Sequence, residues 1–339
     1  MSRTDDLRIR RTRPLISPAI LEEEIPIDAE AAGTVSAARR AVADIVHGRD
    51  PRLLAIVGPC SVHDPEAVRE YAGRLAPLAA SLAERVVIVM RVYFEKPRTT
   101  VGWKGYINDP HLDGTFQVNA GLRGARALLK DIVGMGLPAA SEFLDTTFGQ
   151  YYADFVSWGA IGARTVESQV HRQLASGLSM PVGIKNRTDG NVAVAVDAVV
   201  AARRSHHFPS LTKEGAPALL ETSGNEDCHL VLRGGARPNH DSGAVADAID
   251  ALDARGLDAG ILVDCSHGNS GKDPARQRDG VDAVVRHRRA GSRRLVGVML
   301  ESHLVEGRQD EPVTYGQSIT DACLGWAETE RLVRLLAEW

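Results

Sequence analysis

Eight polar residues of this sequence stand at or just beyond the end of a short apolar run: Cys60, Arg91, Glu142, Arg164, Lys185, Arg233, His267 and Glu301. Arg91 is followed closely by Lys96 and Arg98. Cations gathered in one place repel one another unless an anion lies between them. An architecture that brought these run ends together would therefore expect one or two substrates carrying several negative charges. Arginine forks and compact lysine ammoniums are the side chains that recognise phosphate and carboxylate. Cys60, His267 and Glu301 offer a different chemistry. With a carboxylate such as Asp321 they make a mixed sulfur, nitrogen and oxygen set suited to a borderline divalent metal. The segment Lys96-Pro97-Arg98-Thr99-Thr100 joins a rigid turn to two cations and two hydroxyls, a combination able to grip a phosphate. Gly102 and Gly105 then allow the chain to turn tightly.

What must position these residues is a repeated pair of elements. Apolar runs occur at 53–61, 86–94, 138–145, 160–167, 181–186, 229–235, 261–269 and 295–303. Continuous apolar runs, as opposed to alternating ones, suit parallel strands buried on both faces. The stretches between them, such as 65–83 and 122–134, space Leu, Ala and Val helically with charges between, and Asp64-Pro65 is a helix-start signal. Eight such units predict an α/β chain folded as a (β/α)8 barrel, whose active site lies at the C-terminal ends of the strands. A doubly wound sheet is the alternative, but no G-x-G-x-x-G follows the first strand. Residues 1–50 form an N-terminal extension with a helical stretch near 31–47, and 51–339 form the barrel. Within it, 206–224 holds two short apolar runs around a Lys-Glu-Gly turn, which predicts an inserted β-hairpin.

Composition narrows the function classes. A net charge of −4 argues against a general nucleic-acid binder. No apolar run approaches the ~18 residues of a membrane span, and the N-terminus has no secretory apolar region. Cys60, Cys228, Cys265 and Cys323 are too few and too scattered for a disulfide framework. These features predict a soluble chain of a reducing, cytoplasmic compartment. Lysine is confined to Lys96, Lys104, Lys130, Lys185, Lys213 and Lys272 in a chain otherwise rich in arginine, as if kept where a compact ammonium is needed.

At the run ends the sequence resembles the class I 3-deoxy-D-arabino-heptulosonate 7-phosphate (DAHP) synthases of the aromatic-amino-acid-regulated type. The matching stretches are GPCSVHDP (58–65), RVYFEKPRTTVGWKGYINDPHLDG (91–114), SEFLD (141–145) and WGAIGARTVESQVHRQLASGLSMPVGIKN (158–186). They continue with TSGNEDCHLVLRGG (222–235), DCSHGNS (264–270), GVMLESHLVEG (297–307) and YGQSITDACLGW (315–326). The likeness runs from Asp5 to about Leu335. It implies a (β/α)8 barrel with an N-terminal extension and inserted hairpin. The implied enzyme condenses phosphoenolpyruvate with D-erythrose 4-phosphate and water, releases phosphate, and opens the shikimate pathway. By resemblance Cys60, His267, Glu301 and Asp321 bind a divalent metal: Mn2+, Fe2+, Co2+ or Zn2+. Arg91, Lys96, Arg164, Lys185 and Arg233 would hold phosphoenolpyruvate. Lys96, Pro97, Arg98 and Thr99 would hold erythrose 4-phosphate, with Asp321 also at the substrates. Lys96 is expected to protonate the aldehyde oxygen and Glu142 to orient water, so Lys96, Glu142 and His267 form the catalytic set.

The resemblance also implies feedback by an aromatic amino acid bound between the barrel, the hairpin and a neighbouring subunit, in a homodimer or homotetramer. By position the effector pocket comprises Asp5 and Asp6 from the partner chain with Phe143, Gln150, Leu178, Ser179, Phe208, Ser210 and Leu220. Ser210 resembles phenylalanine-sensitive members. Gly149, where regulated relatives often place proline, and the short loop after Gly307 depart from the pattern. Two alternatives compete. One is a 3-deoxy-D-manno-octulosonate 8-phosphate synthase, against which KPRTTVGWKG argues; the other is an inactive barrel that serves as an effector-binding scaffold.

Overall fold

The computed structural model describes residues 4–339; the first three residues of the expected extension lie outside the described residues. The chain opens with helices α1 (Pro18–Glu24) and α2 (Ala29–Val46). Alternating units follow: β1 (Leu53–Gly58), α3 (Pro65–Leu82), β2 (Val86–Arg91), α4 (Val118–Gly134), β3 (Ala139–Glu142), β4 (Val156–Ile161), α5 (Gln169–Gly177), β5 (Val182–Lys185) and α6 (Ala193–Ala202). A hairpin of β6 (His207–Leu211) and β7 (Pro217–Glu221) interrupts the alternation. It resumes with β8 (His229–Leu232), α7 (Ser242–Asp253), β9 (Ile261–Asp264), α8 (Gln277–Arg289) and β10 (Leu295–Glu301). A short pair, β11 (Val305–Arg308) and β12 (Gln317–Ser318), and helix α9 (Trp326–Leu336) complete the chain.

Strands β1-β10-β9-β8-β5-β4-β3-β2 pair in parallel and close on themselves, which excludes the doubly wound alternative. Nearly every strand residue is buried, as continuous apolar runs require when helices cover one face and the barrel interior the other. Leu54, Ile56, Val89, Trp158, Val231, Leu262 and Met299 fill the interior, and Val42, Ile45 and Val46 of α2 join that cluster. Gly183 makes room for the largest of these side chains. A Cβ at 183 would stand 2.2 Å from Trp158 Cζ2. Helix starts follow local chemistry: Asp64 accepts from the amides of Glu66 and Ala67 before Pro65 opens α3, and Asp28 caps α2 through Ala31.

Three details differ from the sequence reading. The extension carries α1 as well as α2; α1 is short and packs beside the 148–151 turn, a tertiary contact with no local signature. The fourth strand begins at Val156, earlier than the run at 160–167, because Ser157 and Gly159 interrupt its apolar character. The β11–β12 pair was not anticipated, since two- and four-residue strands leave no periodicity to read. The hairpin at 206–224 is antiparallel, with Phe208 opposite Leu220. Among the described residues no helix is long and apolar enough to cross a membrane.

Candidate active site

The C-terminal strand ends deliver Arg91, Glu142, Lys185 and Glu301 as the last residues of β2, β3, β5 and β10. Cys60, Arg164, Arg233 and His267 follow β1, β4, β8 and β9 within three residues. A cleft of about 300 Å³ opens there. Arg91, Lys96, Pro97, Arg98, Thr99, Glu142, Arg164, Lys185, Arg233, His267 and Asp321 line it, together with Lys272. Cys60 and Glu301 lie beneath, fully buried.

The floor is a connected set of charges. Lys96 Nζ lies 2.7 Å from Cys60 Sγ and 3.2 Å from Asp321 Oδ2. Arg91 stacks over the Tyr93 ring at 3.6 Å and donates to the carbonyls of Pro59 and Cys60 and to Glu301 Oε1, each at 3.0 Å. Burial opposes the charge on Lys96, but Cys60, Glu301 and Asp321 outweigh it and hold the ammonium well above its usual range. Burial likewise pushes Asp321 up, and the ammonium of Lys96, with His267 and Lys272, more than reverses it, so the carboxyl stays ionised. Burial, reinforced by Glu301, raises the Cys60 thiol, with Lys96 pulling the other way.

Donor atoms of Cys60, Glu301 and Asp321 all lie within 4.8 Å of one another, as one metal ion would need. His267 Nε2 is 3.6 Å from Glu301 Oε1 and stands outside that close trio. A carboxylate only accepts, so in the 3.0 Å contact of His267 Nδ1 with Asp264 Oδ2 the imidazole donates from Nδ1, which turns Nε2 toward Glu301. Thiolate, imidazole and carboxylate in this disposition fit a borderline divalent cation.

Asp264 escaped the sequence reading. Fully buried at the end of β9, it takes Lys185 Nζ at 2.7 Å and orients His267. Its only signal was an acid closing an apolar run two residues before Ser266-His267. Burial pushes its carboxyl up, but Lys185 and His267 hold it well below the aspartate range. Arg98, Thr99 and Arg164 are exposed at the rim. Among the described residues Arg164 has no ion-pair partner, and Arg98 donates to the Trp103 carbonyl alone, at 2.7 Å.

A second cleft, of about 630 Å³, lies between the hairpin, α5 and the 146–154 turn. Gln150, Leu178, Ser179, Phe208, Ser210 and Leu220 line it with Gly149. Phe143 does not. Fully buried and stacked on Tyr152, it sits behind Gly149, where an added Cβ would touch its ring at 3.0 Å. The Phe143 amide still donates to the Ala160 carbonyl of β4 at 3.1 Å, so its side chain points to the face opposite Glu142 and into the core, and the expected lining contact is lost. Asp5 and Asp6 are exposed in the N-terminal arm. Lys213 was not anticipated here. It lines the cleft and ties the hairpin turn to Glu22 at 2.5 Å and to the Gln150 carbonyl at 2.6 Å.

The DAHP synthetase I family model matches residues 24–334. The chain is 55% identical over 337 residues to the Phe-sensitive phospho-2-dehydro-3-deoxyheptonate aldolase of Escherichia coli K12, covering 98% of this chain and 96% of that protein. It is 53% identical over 342 residues to the Trp-sensitive enzyme of Enterobacter agglomerans, covering 100% and 98%. The solved structure of phospho-2-dehydro-3-deoxyheptonate aldolase from Francisella tularensis SCHU S4 superposes with a TM-score of 0.95 at 49% identity over 97% of each chain. On its fold, its matched length and its near-complete likeness to these proteins, the chain belongs to the DAHP synthetase I family.

Proposed function

We propose that this chain condenses phosphoenolpyruvate with D-erythrose 4-phosphate and water to give 3-deoxy-D-arabino-heptulosonate 7-phosphate and inorganic phosphate, the first step of the shikimate pathway. The observation that carries this reading is Lys96, set between Cys60 and Asp321 in a cleft whose walls bear Arg91, Arg164, Lys185 and Arg233. Arg164, Lys185 and Arg233 hold the phosphate and carboxylate of phosphoenolpyruvate. Arg91, pinned by Glu301 and two carbonyls, adds a charge that cannot swing away. Fixing two mutually repelling anions side by side converts an unfavourable encounter into an oriented one. Cys60, His267, Glu301 and Asp321 would hold a divalent cation (Mn2+, Fe2+, Co2+ or Zn2+), which supplies Lewis-acid polarisation of a carbonyl oxygen. Pro97, Arg98 and Thr99 seat erythrose 4-phosphate at the rim. As C3 of phosphoenolpyruvate bonds to the aldehyde carbon, Lys96 gives a proton to the aldehyde oxygen. Glu142, at the end of β3, orients the water that adds at C2, and the tetrahedral phosphohemiketal expels phosphate.

An aromatic amino acid, phenylalanine by the character of Ser210, inhibits from the second cleft. There the apolar Phe208, Leu178 and Leu220 suit a ring, and Gln150 and Ser179 its polar end. The N-terminal extension and hairpin serve assembly into a homodimer or homotetramer, in which Asp5 and Asp6 of a second copy meet the effector's ammonium. The compartment proposed is the cytoplasm, consistent with four buried cysteines left as thiols.

Phosphate release from phosphoenolpyruvate and erythrose 4-phosphate with Mn2+ tests the reading, with EDTA and each aromatic amino acid as further arms. Activity abolished by EDTA and suppressed by phenylalanine is expected. Activity indifferent to all three amino acids would discard the effector cleft, and no release at all would overturn the reaction.

A further inference from the structure

Lysine is scarce here, yet three of the six, Lys96, Lys185 and Lys272, line the charged cleft. Lys185 is buried and Lys96 half-buried, each against fixed partners. Lys272 is not. Its side chain is 68% exposed, and its one ion-pair contact among the described residues is Asp321 Oδ1 at 3.5 Å. The other oxygen of the same carboxylate takes Lys96 at 3.2 Å. Asp321 is thus bracketed by two ammoniums, one beneath it and one at the mouth. Lys96 has a second partner in Cys60, whereas Lys272 has none among the described residues.

The backbone holds Lys272 in an uncommon state. Its φ is +68°, and its amide donates to the His267 carbonyl at 3.0 Å, closing a turn in which His267 itself stands at φ +55°. A side-chain-bearing residue in the left-handed region is strained, and such strain concentrates where geometry serves a site. Here the turn aims a long cation over the cleft.

The charged residues of the cleft lie at two depths. Arg91 and Lys185 are buried at the floor, while Arg98, Thr99, Arg164 and Lys272 are exposed at the rim. A substrate phosphate held near the mouth meets these exposed residues, of which Arg98, Thr99 and Lys272 are the ones not assigned above to phosphoenolpyruvate. Donor atoms of Asp321, Cys60 and Glu301 cluster within 4.8 Å, so a cation held by the three would draw on the carboxylate that Lys272 faces.

We infer that Lys272 is a binding residue for the second substrate, an aldose phosphate, whose phosphate its ammonium meets together with Arg98 and Thr99. This deepens the reaction proposed above and rests on it. The test is the split between the two Michaelis constants in Lys272→Met and Lys272→Arg. Lys272→Met raises KM for erythrose 4-phosphate about tenfold, which is about 1.4 kcal/mol, with KM for phosphoenolpyruvate within twofold and the melting temperature unchanged; Lys272→Arg restores most of the loss. Calorimetric titration of phosphoenolpyruvate-loaded protein with glycerol 3-phosphate, a non-reacting probe, should show the same tenfold weakening. An unchanged KM for erythrose 4-phosphate, or equal rises for both substrates, overturns the assignment. If the wild-type protein released no phosphate with erythrose 4-phosphate, the reaction reading would fail. The glycerol 3-phosphate titration would then still decide Lys272, since equal affinities in wild type and Lys272→Met would reject it.

Discussion

Replacing Asp264 with asparagine keeps the shape of the side chain and removes the charge on which two site residues depend. Lys185 Nζ, 2.7 Å away in a 5% exposed residue, would retain a buried ammonium with no carboxylate. Stripping one partner from a buried ion pair costs roughly 3–5 kcal/mol. At ~2 °C of melting temperature per kcal/mol in a chain of this size, the variant should melt roughly 6–10 °C lower. His267 also loses the acceptor that fixes its proton on Nδ1, at 3.0 Å. Loss of such a supporting contact typically weakens metal binding 10–100-fold. Two assays read these effects separately. Thermal unfolding without metal measures the Lys185 term, and Mn2+ titration followed by electron paramagnetic resonance measures the His267 term. An Asp264→Asn protein that melts within 2 °C of wild type and binds Mn2+ equally well would refute the claim that this buried carboxylate organises the floor.

Lys96→Met should lose at least ~100-fold in turnover while folding normally, because the group placed to protonate the aldehyde is gone; a folded and fully active variant would remove Lys96 from that role. Glu95, 3% exposed with its carboxylate accepting from the Asp145 amide, is pushed up to about 8 by burial, with Asp145 and Glu142 adding to it. A raised carboxyl pKa means that stability present below the unfolded value near 4.5 is lost as pH rises through about 8. That loss is at most about 5 kcal/mol at ~1.4 kcal/mol per pH unit. Glu95→Gln should flatten the profile and be the more stable protein at pH 9, and parallel melting curves from pH 5 to 9 would contradict this. Gly183→Ala drives a methyl into Trp158 and should cost ~1–3 kcal/mol, read as a melting temperature lower by several degrees; an unaltered melt would mean that the barrel interior can yield at that point.

The barrel was legible because a parallel strand covered on both faces must be apolar throughout. Each unit therefore announces itself as an unbroken run, and the residue ending it marks the site. That rule placed Arg91, Glu142, Lys185 and Glu301 correctly at one rim before any coordinates. It was silent on which of two neighbours at a strand end faces the cleft. Phe143 and Glu142 are neighbours at the end of β3, yet one packs under Gly149 and the other faces the cleft. Asp264 shows the same limit. An acid at a strand end reads as a solvated terminus, and only barrel closure, setting β9 beside β8 and β8 beside β5, brings Lys185 to it across 79 residues of chain. Side-chain type and spacing could state which chemistry the rim carries. The pairing of those charges, and the bracketing of Asp321 between Lys96 and Lys272, belongs to tertiary structure alone, because Coulomb interactions depend on distances in space and residue numbers do not encode them.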